Sequence, residues 1–148
     1  MIDEQQLIKN LQSIERLHAG ATTPGERVAA ANALERMRQR LAEVAQLDPP
    51  VEYQFTMADM WSRRLFVALL RRYDIRPYRY YRQRYTTVMA KVPKGFVDET
   101  LWPEFQQLND TLRQYLDEVT DRVVSESIHA DSSEAEVVSD SHKLLPGM

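Results

Sequence analysis

The chain contains no cysteine. Disulfides, thiol nucleophiles and thiolate-held zinc or iron–sulfur clusters are therefore excluded, and a reducing compartment fits. Histidine is scarce: His18, His129 and His142 are widely spaced, and no H-E-x-x-H pair occurs. With four glycines in 148 residues there is no phosphate loop and no dinucleotide fingerprint. A serine elbow is also missing. No apolar run approaches the ~20 residues that cross a bilayer. The opening Met1-Ile2-Asp3-Glu4-Gln5-Gln6 lacks the basic and apolar regions of a signal peptide. These absences lead us to expect a soluble, cytoplasmic, non-enzymatic protein with no metal, no cofactor and no membrane partner.

What is present is a charge pattern. The net charge is −3. From Met60 to Phe96, ten cations stand against Asp74 alone, a balance of +9. From Val97 onward, twelve acids stand against three cations, a balance of −9. The basic centre culminates in residues 71–85, which hold six arginines and five tyrosines around Pro77. Guanidinium groups fork onto phosphates or carboxylates, and tyrosine rings stack and hydrogen-bond. The pattern is one of recognition, not of catalysis. The candidate binding residues are Arg72, Arg76, Arg79, Tyr80, Tyr81, Arg82, Arg84 and Lys91. The partners expected are a nucleic acid or an acidic protein, the latter making the chain an adaptor; self-association through the same surface is a further alternative. The plainer reading has alternate tyrosines packing on helices and the arginines pairing with acids of the last helix.

Around that centre the sequence predicts an α+β protein. Leu7, Ile8, Leu11, Ile14 and Leu17 keep helical spacing, and Gly20 ends that helix. Thr23-Pro24-Gly25-Glu26 reads as a capping box opening a second, alanine-rich helix through Leu34, Met37 and Leu41. Arg36, Arg38 and Arg40 are expected on its solvated face. Residues 1–47 thus form a helical hairpin, closed by Asp48-Pro49-Pro50.

Residues 51–128 are expected to form an α-β-β-α unit. Val51–Phe55 alternates like a short strand or extended linker. A capped helix follows, with Trp61, Leu65, Phe66, Leu69, Leu70 and Tyr73 on its apolar face. Tyr78–Tyr81 and Tyr85–Val92 predict a β-hairpin turning near Arg82-Gln83-Arg84. Pro93-Lys94-Gly95 reads as a turn, with Asp98 capping a long last helix whose acids face water. Trp61 and Trp102 are candidate core anchors. From His129 to Met148 the composition predicts a disordered acidic tail.

Two nucleic-acid motifs are excluded. Lys94-Gly95-Phe96-Val97 leads into Asp98-Glu99-Thr100 rather than a full RNA-recognition signature. No G-x-x-G loop of the KH type lies between helices. Residues 22–31, Thr22-Thr23-Pro24-Gly25-Glu26-Arg27-Val28-Ala29-Ala30-Ala31, and the helix after them resemble the small helical module of bacterial and phage proteins known as domain of unknown function 2786. Trp61–Phe66 through Trp102–Phe105 looks like the α-β-β-α unit that follows it in some such proteins. The resemblance implies an architecture and a bacterial origin; it implies no reaction.

Overall fold

A computed structural model describes residues 3–18 and 27–139. Met1–Tyr115 form one compact unit and Leu116–Met148 a second. The α+β class, the two-stranded antiparallel sheet and the long final helix are as expected.

Helix α1 spans Glu4–His18. Asp3 caps it, its carboxylate accepting the Gln6 amide at 2.8 Å. Leu7 is buried and Leu11 and Ile14 pack on the core, a stripe at spacings of four and three; Ile8 and Leu17 are exposed. Helix α2 spans Arg27–Leu47 and sends Leu34, Met37 and Leu41 to the same core. The linking segment, with Thr23 and Glu26, lies outside the described residues. Arg38 departs from the expected solvated face. It donates to the Arg72 carbonyl at 2.6 Å and lies 3.6 Å from the Asp74 carboxylate. Its reach across the fold brings a cation to the carbonyl end of the next helix, where the helix dipole favours it.

Strand β1 (Val51–Thr56) and strand β2 (Thr87–Val92) pair antiparallel, from Val51 opposite Val92 to Thr56 opposite Thr87. This corrects the expected hairpin. The tyrosine segment contributes a single bridge, Tyr78 to Met89, on the other edge of β2. The next amide on that side that could join the ladder, that of Tyr80, is taken instead by the Gln83 side chain at 2.8 Å. The six-residue β1 instead offers a full ladder and places Phe55 in the core.

Helix α3 (Met60–Arg72) lies between the strands in sequence. Asp59 is its N-cap, accepting the Ser62 amide at 2.8 Å and meeting Arg113 at 2.7 Å. Phe66, Leu69 and Leu70 are buried; Trp61 is exposed and anchors no core. The helix closes in a Schellman turn. The Ile75 amide reaches the Leu70 carbonyl at 2.9 Å, the Asp74 amide reaches that of Arg71 at 3.0 Å, and Asp74 takes a left-handed φ of 58°.

Beyond β2, Pro93 opens a short helix α4 (Lys94–Phe96), then a π-helical turn (Val97–Leu101), then α5 (Trp102–Ser127). Helical structure thus starts four residues before Asp98, which is not its cap. The wide turn sits just before Pro103, whose missing amide cannot close an ordinary helical bond. Phe55, Phe66, Trp102 and Phe105 pack as an aromatic cluster, with Phe55 and Phe66 centroids 4.5 Å apart. Each fully buried ring or aliphatic chain contributes about 1.5–3 kcal/mol.

Glu104 overturns the expectation that the acids of the last helix face water. It is 1% exposed. Its carboxylate accepts from the Tyr73 hydroxyl and, at 3.0 Å, from Arg72, which also lies 3.6 Å from Glu15. Burial pushes the Glu104 carboxyl above its ordinary range, against the pull of Tyr73 and Arg72. Burial likewise pushes the Tyr73 hydroxyl up, and the neighbouring carboxylate pushes it the same way.

In the second unit, Val123 and Ile128 are exposed. Residues 129–139 form neither helix nor strand; there the Asp131 carboxylate accepts the Ser133 amide and hydroxyl. The rest of the expected tail lies outside the described residues.

Candidate nucleic-acid interface

The basic face is assembled from α3 and the loop that runs from it to β2. On α3, Arg63, Val67 and Arg71 follow at spacings of four, and Arg64, Ala68 and Arg71 at four and three. Both rows run along one side of a helix. The opposite side carries the buried Phe66, Leu69 and Leu70. Burying that side therefore fixes where the arginines stand.

The loop leaves the Schellman turn by sinking Ile75 into the core, then returns to the surface at Arg76. Tyr78 docks on β2, exchanging backbone hydrogen bonds with Met89 at 2.9 and 2.7 Å. Beyond it the chain doubles back, with the Gln83 amide on the Tyr80 carbonyl at 3.2 Å. Arg82 occupies the third position of this turn with a φ of 75°. That conformation favours glycine, so a bulky cation there is held against a local cost. The result is a projecting tip: Tyr81 is 92% exposed, and the Arg82 guanidinium lies 5.9 Å from its ring.

Two hydroxyls tie the loop to the sheet. Tyr78 and Tyr80 both donate to one oxygen of Glu52, Tyr78 at 2.5 Å. Their rings meet edge to face at 5.7 Å. The two donors hold the Glu52 carboxyl below its ordinary range, and the carboxylate in turn pushes both hydroxyls up. Near neutral pH this is therefore an anion with two neutral donors.

The eight residues picked from sequence divide. Arg72 is drawn inward to Glu104 and Glu15 and leaves the surface set. Its partner Glu104 does come from the last helix, as the plainer reading expects. Lys91 faces Glu52 in the strand register. Arg76 lies 5.3 Å from the Tyr78 ring, and Arg79 donates to the Gln83 carbonyl at 2.9 Å. Tyr80 is half exposed and engaged with Glu52, whereas Tyr81 points outward. Arg82 and Arg84 are exposed.

Sequence reasoning left out Arg63, Arg64, Arg71 and Tyr85. Arg63 and Arg79 share the Tyr85 ring, at 4.5 and 5.4 Å, which joins helix to loop. The helical spacing of Arg64, Ala68 and Arg71 was the available signal. Among the described residues, none of Arg63, Arg64, Arg71, Arg76, Arg79, Arg82 and Arg84 has a carboxylate within 4.0 Å.

Among the described residues no group of three or more histidines and carboxylates is placed to hold a metal ion. No helix among them is long and apolar enough to cross a membrane. Comparison with protein-family models, with curated proteins and with solved structures gives no match.

Proposed function

We propose that this protein is a non-enzymatic, cytoplasmic nucleic-acid-binding protein, and that a single strand lies along the loop 76–85 and the arginine side of α3. One observation carries the reading. Seven arginines share this region with no carboxylate within 4.0 Å among the described residues, beside an outward Tyr81. On a protein of net charge −3 these arginines are gathered on one region rather than spread among its acids. Phosphates supply the missing anions, and an exposed tyrosine supplies a face on which any base stacks. The acidic flanks of the chain limit binding to polyanions that fail to engage this surface.

The test is a salt titration of single-strand binding. Arg82→Ala and Arg84→Ala each shallow the slope of log affinity against log salt by up to ~0.7. Tyr81→Ala weakens binding by about 1–3 kcal/mol without changing that slope, because stacking releases no counterions. Absence of DNA or RNA binding at about 50 mM salt, by folded and monodisperse protein, overturns the reading. The surface would then belong to an acidic protein or to a second copy of the chain.

A further inference from the structure

A cavity of about 330 Å³ opens between α3 and the loop, and Arg63, Arg64, Arg71 and Arg79 line it. No carboxylate is among its lining residues. The larger cavity of about 720 Å³, which also touches Arg79, has Asp74 in its wall, 3.6 Å from Arg38. In the smaller one four like charges line one half-open space. Each raises the electrostatic cost of the others, and an entering anion adds an attraction to each of the four.

The space follows from the helix. Ala68 stands between Arg64 and Arg71 on one row, and its single methyl leaves the gap that a longer side chain would fill. Pro77 and Tyr78 form the opposite wall. Three of the four guanidinium groups have an aromatic ring beside them. Arg63 and Arg79 lie against Tyr85, and Arg64 lies 5.8 Å from the Trp61 ring. Attraction to a ring uses none of the guanidinium's N–H donors, which remain able to bind an anion. The Nε of Arg63 is buried with no hydrogen-bond partner among the described residues. Donors so placed are nearly always satisfied in folded proteins.

We propose that this cavity binds a terminal phosphate group: the end of a nucleic-acid strand, or a free phosphate. A terminal phosphate carries up to two charges and three acceptor oxygens, which suits several guanidinium forks converging from different directions. A phosphodiester within a strand has one charge and two free oxygens, and fits the open arginines of the loop instead. The strand-end form rests on the nucleic-acid reading above; the phosphate site does not.

Two measurements on the full chain separate these. In the first, thermal melts in inorganic phosphate or pyrophosphate are compared with melts in sodium chloride of equal ionic strength. Wild type gains a saturable rise in Tm beyond chloride. Ala68→Leu keeps every charge, fills the gap at an exposed helix position, and loses the rise. Arg36→Ala, exposed on α2 and away from both the cavity and the loop, keeps it. In the second, a 5′-phosphorylated strand binds wild type about tenfold more tightly than its 5′-hydroxyl twin, and Ala68→Leu binds the two alike. If Ala68→Leu fails to fold by circular dichroism, the double substitution Arg64→Gln with Arg71→Gln takes its place. Protection by phosphate with no preference between the strands supports the site and assigns it to free phosphate. Protection no greater than chloride, or the same protection in Ala68→Leu, overturns the site. Strands that then still bind leave the nucleic-acid reading standing.

Discussion

At the scale of single residues, Glu104 carries the largest consequence. It is a buried acid held by one cation and one hydroxyl. Glu104→Ala leaves the buried Tyr73 hydroxyl without its acceptor and Arg72 with Glu15 alone, and costs about 1–3 kcal/mol, read from urea midpoints. Glu104→Gln keeps an acceptor oxygen and costs less. Its pH behaviour has a definite sign. The folded carboxyl titrates above its ordinary 4.5, so between the two values the native state holds the extra proton. That contribution is fully present below 4.5 and is lost as pH rises through the folded value. The stability of wild type minus that of Glu104→Gln therefore falls as pH climbs through that window; a difference independent of pH would refute the shift. Asp74 is the other residue with a distinct backbone demand, at a φ of 58°. Asp74→Val costs about 1–2 kcal/mol, because a branched side chain is strained there. Asp74→Gly is neutral or stabilising, since the exposed Asp74–Arg38 pair contributes little.

At the scale of elements, α3 is the piece on which both core and basic face depend. Its start relies on the Asp59 side chain, so Asp59→Ala costs about 1 kcal/mol. The bond from the Ser62 amide, ahead of the Arg113 charge, lowers the Asp59 carboxyl below its ordinary value. Its contribution is therefore present above about 3.8 and disappears as pH falls through the lowered value. Denaturation series near pH 6 and near pH 2 check this, and a penalty undiminished in acid would refute it. Helix α3 was legible because Phe66, Leu69 and Leu70 repeat at helical spacing and Asp59 precedes them. The pairing of β2 was not. Tyr78–Tyr81 and Val51–Phe55 both have the composition of a strand, and local pattern ranks neither as the partner. The choice fell to the backbone: the occupied Tyr80 amide leaves the tyrosine segment a single bridge, while β1 completes six pairs.

For the whole molecule, residues 131–139 add no helix or strand, and a chain ending at Ala130 should melt within about 2 °C of the full-length protein. A larger drop would mean that the removed segment docks. The sequence alone determined the α+β class, the helices, and the concentration of ten cations against one acid between Met60 and Phe96. Each follows from local spacing, capping and composition, which adjacent residues decide among themselves. Only the tertiary structure decided which charges neutralise one another. Arg72 and Arg71 are neighbours of the same type, yet one helical step turns Arg72 toward Glu104 and Glu15 and leaves Arg71 beside a cavity with no carboxylate. Trp61 and Trp102 divide in the same way, one exposed and one packed in the aromatic cluster. The physical reason is common to all of them. Pairing and burial depend on residues far apart in the chain, Glu15 and Glu104 for Arg72, Phe55 and Phe105 for Trp102, and folding alone brings those partners together.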